Sequence, residues 1–117
     1  MSASAFSLTV SVPGKGFSTS GLSPEIGGLH GAERHHFCPW CKSWIFTRVD
    51  ETNEFVNVRG SMLDDHRWVV PYAEFWTSEK LPWASTSARL SFATEPPDTA
   101  FEGMLEAFAR EGARPPG

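Results

Sequence analysis

Cys38 and Cys41 are the only two cysteines in this chain of 117 residues, and they constrain its fold more than any other feature. They stand in the segment Phe37-Cys-Pro-Trp-Cys-Lys-Ser-Trp-Ile-Phe46. Two cysteines separated by two residues place two thiolates on one tight turn, which is the usual way a protein grips a structural zinc ion from one side. A closed tetrahedral site needs four ligands, so histidines, a second chain or nothing at all completes this one.

The residues after the cysteine turn have the pattern of a β-hairpin. Residues 43–49 are β-forming, residues 50–53 are polar and suit a turn, and residues 55–58 are β-forming again. A cysteine turn that leads into a hairpin is the local architecture of a zinc ribbon. A redox pair normally lies at a helix N-terminus, which lowers the thiol pKa, so this pattern favours metal ligation over a redox couple or two idle thiols.

The rest of the chain is also mostly β-forming. Apolar and polar residues alternate from Phe6 to Val12, which predicts a strand with one buried face. Further patterns predict short strands at 17–20 and 89–93, a loop at 21–31, and a β-forming segment at 68–76 that Pro71 confines to an edge or a bend. The sequence thus predicts a mostly antiparallel β domain.

One helix is predicted near the C-terminus. Thr99 and Glu102 have the spacing of a capping box, and Gly112 is suited to end the helix. An apolar stripe at helical spacing indicates that the helix docks on the β domain, and its members are Phe101, Met104, Leu105 and Phe108.

Charge and hydropathy exclude two classes of partner. The formal net charge is −4 and the basic residues are scattered, so no face for nucleic acid is predicted. No stretch approaches the roughly 20 apolar residues that span a bilayer, so no membrane association is predicted. The N-terminus lacks the pattern of a signal peptide, and we expect a cytoplasmic protein, where a cysteine pair is more often a metal grip than a disulfide.

Other polar and aromatic residues could belong to a site, although each has a simpler interpretation. Histidines could complete a metal site, but neighbouring residues on a strand face opposite ways, so packing or solvent-facing roles are favoured for His30, His35, His36 and His66. Asp64 and Asp65 suit a turn better than an acid–base pair. Glu74 lies among aromatic residues that could raise its pKa, but a single carboxylate without a partner is weak evidence for catalysis. Trp68, Phe75, Trp76 and Trp83 could line a groove, but the favoured interpretation is that they fill the core or a surface that a missing upstream segment once covered.

Four ordered segments resemble the glutathione-dependent formaldehyde-activating enzyme family, which includes centromere protein V. They are Arg34 to Phe46 with the cysteine pair, Val58-Arg-Gly-Ser-Met-Leu-Asp-Asp65, Pro71-Tyr-Ala-Glu-Phe-Trp76 and Leu81-Pro-Trp83. The resemblance implies a mainly β, β-tent-like fold of antiparallel sheets with a zinc-ribbon-type hairpin and one C-terminal helix. It covers nearly all of residues 1–117, interpreted as a single domain that corresponds to the C-terminal two-thirds of the family domain.

The resemblance also implies the cofactor and the site residues. Family members have an upstream Cys-x-Cys that joins the later Cys-x-x-Cys around a structural zinc, and a cysteine triplet that holds a zinc associated with activity. Residues Ala3 to Phe6 resemble the strand after that triplet. Carried over, only Cys38 and Cys41 remain, both as structural zinc ligands, with no position for a catalytic residue or a catalytic-zinc ligand.

The function implied is that of a zinc-dependent carbon–sulfur lyase acting on a small thiol adduct such as S-hydroxymethylglutathione, with the catalytic zinc lacking in this chain. The alternative is a non-catalytic β domain that associates with itself or with another protein, because an early core strand without neighbours leaves an unpaired edge. A homo-oligomer is expected, and two chains could share one zinc through their paired cysteines.

Overall fold

The part of the chain that contains the cysteines folds mainly into a five-stranded antiparallel sheet. The computed structural model describes residues 4–49 and 54–117, without the side chains of residues 28–30. The strands are β1 (Thr9–Pro13), β2 (Glu25–His30), β3 (Glu33–Phe37), β4 (Trp44–Val49) and β5 (Phe55–Arg59). Their order in the sheet is β1-β5-β4-β3-β2. The predicted strands in residues 43–49 and 55–58 are confirmed, and the strand predicted for 6–12 is confirmed from Thr9 onward, since residues 6–8 lie outside β1. The predicted turn at 50–53 lies outside the described residues.

Two predictions for residues 17–31 are wrong. Residues 17–20 form no strand, and the ring of Phe17 instead packs edge-on against Phe46 with centroids 5.1 Å apart. Residues 25–30 are not loop but form β2, which pairs with β3 through backbone hydrogen bonds. A β-carbon at Gly27 would lie 2.5 Å from the Phe37 ring, so the glycine lets the two strands approach closely.

The two faces of the sheet differ in polarity. Cross-strand pairing places one apolar row on one face, in which Val10, Val58 and Phe46 are neighbours. The opposite face carries a polar row, in the order Ser11, Asn57, Thr47 and His35. The buried residues of the sheet include Phe46 and Val56 on the first face and His35 and Thr47 on the second. The predicted alternation is thus confirmed, but neither face is simply solvent-facing.

The chain divides into two compact units, residues 1–64 and 65–117. The first contains the sheet and a 3₁₀-helix at Gly60–Met62. The second contains β6 (Ala73–Glu74), β7 (Leu90–Ser91), a 3₁₀-helix at Thr77–Glu79 and α1 (Asp98–Glu111). Strands β6 and β7 pair in parallel. Only two residues of the segment at 68–76 form a strand, which is far less than its composition suggested.

Helix α1 is confirmed, but its predicted capping box is wrong. The helix begins at Asp98 after Pro97, so Thr99 lies inside the first turn, and no side chain in the described part of the chain caps the helix N-terminus. Two residues of the predicted stripe contact aromatic rings of the same unit. The ring centroids of Phe101 and Phe75 are 6.0 Å apart, and those of Phe108 and Tyr72 are 5.3 Å apart. The described residues contain no helix with the length and hydropathy that a bilayer crossing requires.

Candidate metal centre

The cysteine turn connects β3 to β4 and is fixed by two backbone hydrogen bonds. The N–H of Cys38 donates to the carbonyl oxygen of Ser43 at 2.9 Å, and the N–H of Lys42 donates to the carbonyl oxygen of Cys38 at 2.9 Å. Lys42 has a φ of 62°, in the left-handed region, which costs a non-glycine residue strain energy. The turn keeps both cysteines within four consecutive residues at one end of the sheet.

The two thiols are free and accessible to different degrees. Cys38 is half-buried and Cys41 is exposed. The Cys41 Sγ lies 3.3 Å from the Ser43 Oγ. Hydrogen bonds with the side chain and backbone of Ser43, and a weaker one with the side chain of Cys38, lower the pKa of the Cys41 thiol. Both cysteines belong to the one turn that the two backbone hydrogen bonds close, which keeps the two thiols near each other, as metal ligation from one turn requires.

An ion pair joins the turn to the edge of the sheet. The Nζ of Lys42 lies 2.5 Å from the Oε1 of Glu25, the first residue of β2. Both side chains are largely exposed, so this contact contributes about 0–1 kcal/mol to stability. Its effect is mainly to hold the side chain of Lys42 towards β2.

A polar cluster that the sequence did not reveal lies on β3 and β4, the strands that carry the turn. The hydroxyl of Thr47 shares a hydrogen bond of 2.7 Å with the Nδ1 of His35 and accepts one of 3.1 Å from the Nε1–H of Trp44. The rings of His35 and Trp44 also pack edge to face, 4.9 Å apart. His35 and Thr47 are buried, so this network is a fixed part of the sheet.

Arg59 extends this cluster on β5. Its guanidinium carbon lies 4.4 Å from the centroid of the Trp44 ring, a cation–π contact. Its Nη1 is buried and has no hydrogen-bond partner among the residues that the structure describes, and burial lowers the pKa of the Arg59 guanidinium. The Trp44 ring is the partner that offsets part of this desolvation.

The histidines near the turn pack in the sheet, as predicted. His35 faces Thr47, whereas His36 lies on the opposite face, stacked on Phe46 with centroids 4.5 Å apart. The His36 Nδ1 also hydrogen-bonds the carbonyl oxygen of Arg34 at 3.1 Å. His66 is exposed in the second unit, and the side chain of His30 lies outside the described residues.

The donor set at the turn fits half of a zinc site. Two thiols on one turn match the sulfur ligands that zinc prefers. Among the residues that the structure describes, however, no group of three or more histidine, cysteine, aspartate or glutamate side chains is placed to hold a metal ion. The described part of one chain therefore does not supply a closed four-ligand site.

The prediction of a raised pKa for Glu74 is wrong. The aromatic surroundings do not raise its pKa. Instead, hydrogen bonds from the hydroxyls of Ser91 at 2.6 Å and Thr86 at 2.5 Å lower the pKa of the Glu74 carboxyl. These contacts join β6 to β7 and to the preceding loop, so the carboxylate stabilises the second unit rather than serving as a proton donor.

The Glu74 contacts predict a pH dependence of stability. Because the folded-state pKa lies below its ordinary value of 4.5, the ionised carboxylate stabilises the fold above pH 4.5, and this stabilisation is lost as the pH falls through the folded-state pKa. We expect Glu74→Gln to lower the free energy of unfolding at pH 7 and to differ less from the wild type below pH 4. Urea denaturation from pH 3 to 7, with exposed Glu79→Gln as the control, checks this. A Glu74→Gln deficit that stays constant on acidification would contradict it.

The remaining candidate residues take structural or exposed positions. The Oδ1 of Asp65 accepts hydrogen bonds from the backbone N–H and the Nε–H of Arg67, which confirms its role in a turn. Asp64 is exposed. The interpretation that the aromatics fill the core is wrong for three of them, because large parts of their side chains are exposed: Phe75, Trp76 and Trp83.

The comparisons with known proteins agree with the resemblance. The family model of the glutathione-dependent formaldehyde-activating enzyme matches residues 1–79. This range includes the cysteine turn and two of the other three segments, whereas Leu81 to Trp83 follows it. No curated protein and no solved structure matched the chain. The match does not mention centromere protein V, so that part of the resemblance stays a prediction. Because the family match covers more than half of the sequence, the chain belongs to the glutathione-dependent formaldehyde-activating enzyme family.

Proposed function

We propose that this chain binds a small thiol adduct, such as S-hydroxymethylglutathione, within the carbon–sulfur lyase chemistry of its family, and that the chain alone does not accelerate that chemistry. The family match over residues 1–79 is the observation that carries the first half of the proposal. The second half is supported by the donor set, because the sequence contains two cysteines and both lie in the same turn.

The chain's own residues account for positioning. The two backbone hydrogen bonds of the turn hold Cys38 and Cys41 next to each other, and the polar cluster of His35, Trp44 and Thr47 fixes the strands that carry them. In this proposal the pair holds a zinc ion that has a structural role, in keeping with ligation by thiolates on a turn. No reaction step is assigned to that ion, because the described residues supply only half of its ligands.

Exchange spectroscopy by NMR tests the proposal. With ¹³C-formaldehyde and glutathione at equilibrium, we expect the exchange rate of S-hydroxymethylglutathione in the presence of the zinc-loaded chain to equal that of a zinc-only control. Saturation transfer from the protein to the adduct should be observed, and it should be weaker for glutathione alone. An accelerated exchange would contradict the inactive state, and absence of transfer to the adduct would contradict binding.

A second candidate function is a non-catalytic association module. Within the described residues, β1 pairs only with β5, which leaves its other edge unpaired. An unpaired edge is a template for pairing with another chain. Light scattering that gives a strict monomer at high protein concentration, with and without zinc, would count against this candidate.

A further inference from the structure

The cysteine turn presents its sulfur donors on an open side of the first unit. Cys41 is exposed, and the side chain of Trp40, between the two cysteines, is 83 % exposed. A tetrahedral zinc ion bound to two thiolates has two positions left for other ligands. Whatever occupies them must approach from outside the turn.

Neighbouring side chains of the same unit are engaged elsewhere. His35 is buried against Thr47, and His36 is stacked on Phe46 on the opposite face of the sheet. The carboxylate of Glu25, which lies close to the turn, is paired with Lys42. Across residues 4–49 and 54–117, the described side chains form no cluster of three possible ligands.

We propose that two copies of this chain share one zinc ion, each contributing Cys38 and Cys41. A second copy carries the same pair of thiols, of which Cys41 is exposed, so it can supply two further sulfur ligands. In such a dimer the same turn of each copy contacts the other, because a two-fold symmetric interface uses the same surface of both subunits. This proposal does not depend on the proposed thiol-adduct function, since either can fail while the other holds.

The apolar surface beside the turn suits such a contact. A second copy would cover the exposed ring of Trp40, which lies between the two cysteines in the sequence. This tryptophan therefore favours a copy of this chain over a small charged ligand in the open positions.

The test measures mass and metal content of the full chain in a phosphine reductant, which prevents disulfide-linked dimers. We expect zinc to convert a monomer of 12.9 kDa into a species of twice that mass, with one zinc ion for two chains. A chelator should reverse the change. The fluorescence of Trp40 should shift as the dimer forms, and Trp40→Ser should abolish that shift while the change in mass persists.

Two substitutions and a matched control locate the ligands. Cys38→Ser and Cys41→Ser should each remove the zinc-dependent doubling of mass, whereas Ser85→Ala, at an exposed position in the second unit, should leave it intact. Circular dichroism of each variant shows whether the sheet is retained. If Cys38→Ser unfolds the chain, two results still decide the proposal. They are the mass of the Cys41→Ser variant, whose substitution lies at an exposed position, and the number of zinc ions per chain in the wild type.

Three outcomes would overturn the shared site. They are a monomer that binds one zinc ion per chain, a chain that binds no zinc in the reductant, and a dimer whose formation does not depend on zinc. The last outcome would instead support the association module, and none of the three bears on binding of the thiol adduct.

Discussion

Replacing Phe46 with alanine is expected to lower the free energy of unfolding by about 3–5 kcal/mol, the usual cost of deleting a buried phenylalanine. The side chain is 3 % exposed in the central strand β4. Phe17 packs on its edge at 5.1 Å and His36 stacks on its face at 4.5 Å. The substitution would leave both rings facing a cavity, which the sheet backbone cannot close.

Urea denaturation measures this loss, and Phe55→Ala is the matched control. Phe55 lies on the neighbouring strand β5 and is 47 % exposed, so its removal should cost about 1 kcal/mol or less. A Phe46→Ala variant with the stability of Phe55→Ala would mean that the face containing Phe46 is not the core of the sheet.

Thr47→Val is expected to destabilise the chain by about 2 kcal/mol, although valine has nearly the same shape. The substitution removes the single hydroxyl that contacts both the His35 Nδ1 at 2.7 Å and the Trp44 Nε1 at 3.1 Å. Thr47 and His35 are buried, so water cannot readily replace the lost oxygen. Both strands that end at the cysteine turn should therefore loosen.

Thr47→Ser keeps the hydroxyl and removes only a methyl group, so it should cost less than Thr47→Val. Urea denaturation of both variants gives the difference. Indole N–H exchange at Trp44, followed by NMR, should become faster in the valine variant alone. Equal stabilities of the two variants would show that the hydroxyl does not hold the cluster together.

Periodic segments of the sequence predicted their elements well. The alternation from Phe6 to Val12 became β1, and the β-forming residues on each side of 50–53 became β4 and β5. In β1 half-buried and exposed side chains alternate, which leaves a period of two in the sequence, whereas β4 and β5 were predicted from their β-forming composition. The apolar stripe of α1 is visible for the same reason, with a period near 3.6.

Strand β2 could not be predicted because its residues carry little side-chain signal. Glu25–His30 contains two adjacent glycines, which are depleted in strands, and its pairing with β3 is made by the backbone. The close approach of Gly27 to Phe37 is a tertiary contact, which composition does not show. In the second unit, β6 and β7 are two residues long, and patterns this short cannot be told from loop.

The polar cluster was missed because of one β-bulge. If the antiparallel pairing of β3 with β4 continued without interruption from the pair of Cys38 and Ser43, His35 would lie opposite Phe46, on the face away from Thr47. The irregularity between His36 and Phe37 shifts the register by one residue and brings His35 opposite Thr47. The cysteine pair itself needed no register, because both thiols belong to one turn, and that part of the site was predicted from spacing alone.

X-ray absorption at the zinc edge tests most directly whether Cys38 and Cys41 bind one metal ion together. The zinc-loaded wild-type chain should show sulfur neighbours at about 2.3 Å. The double variant Cys38→Ser/Cys41→Ser should lose this sulfur shell. A wild-type spectrum with only nitrogen and oxygen neighbours, or a sulfur shell that survives the double substitution, would contradict the account.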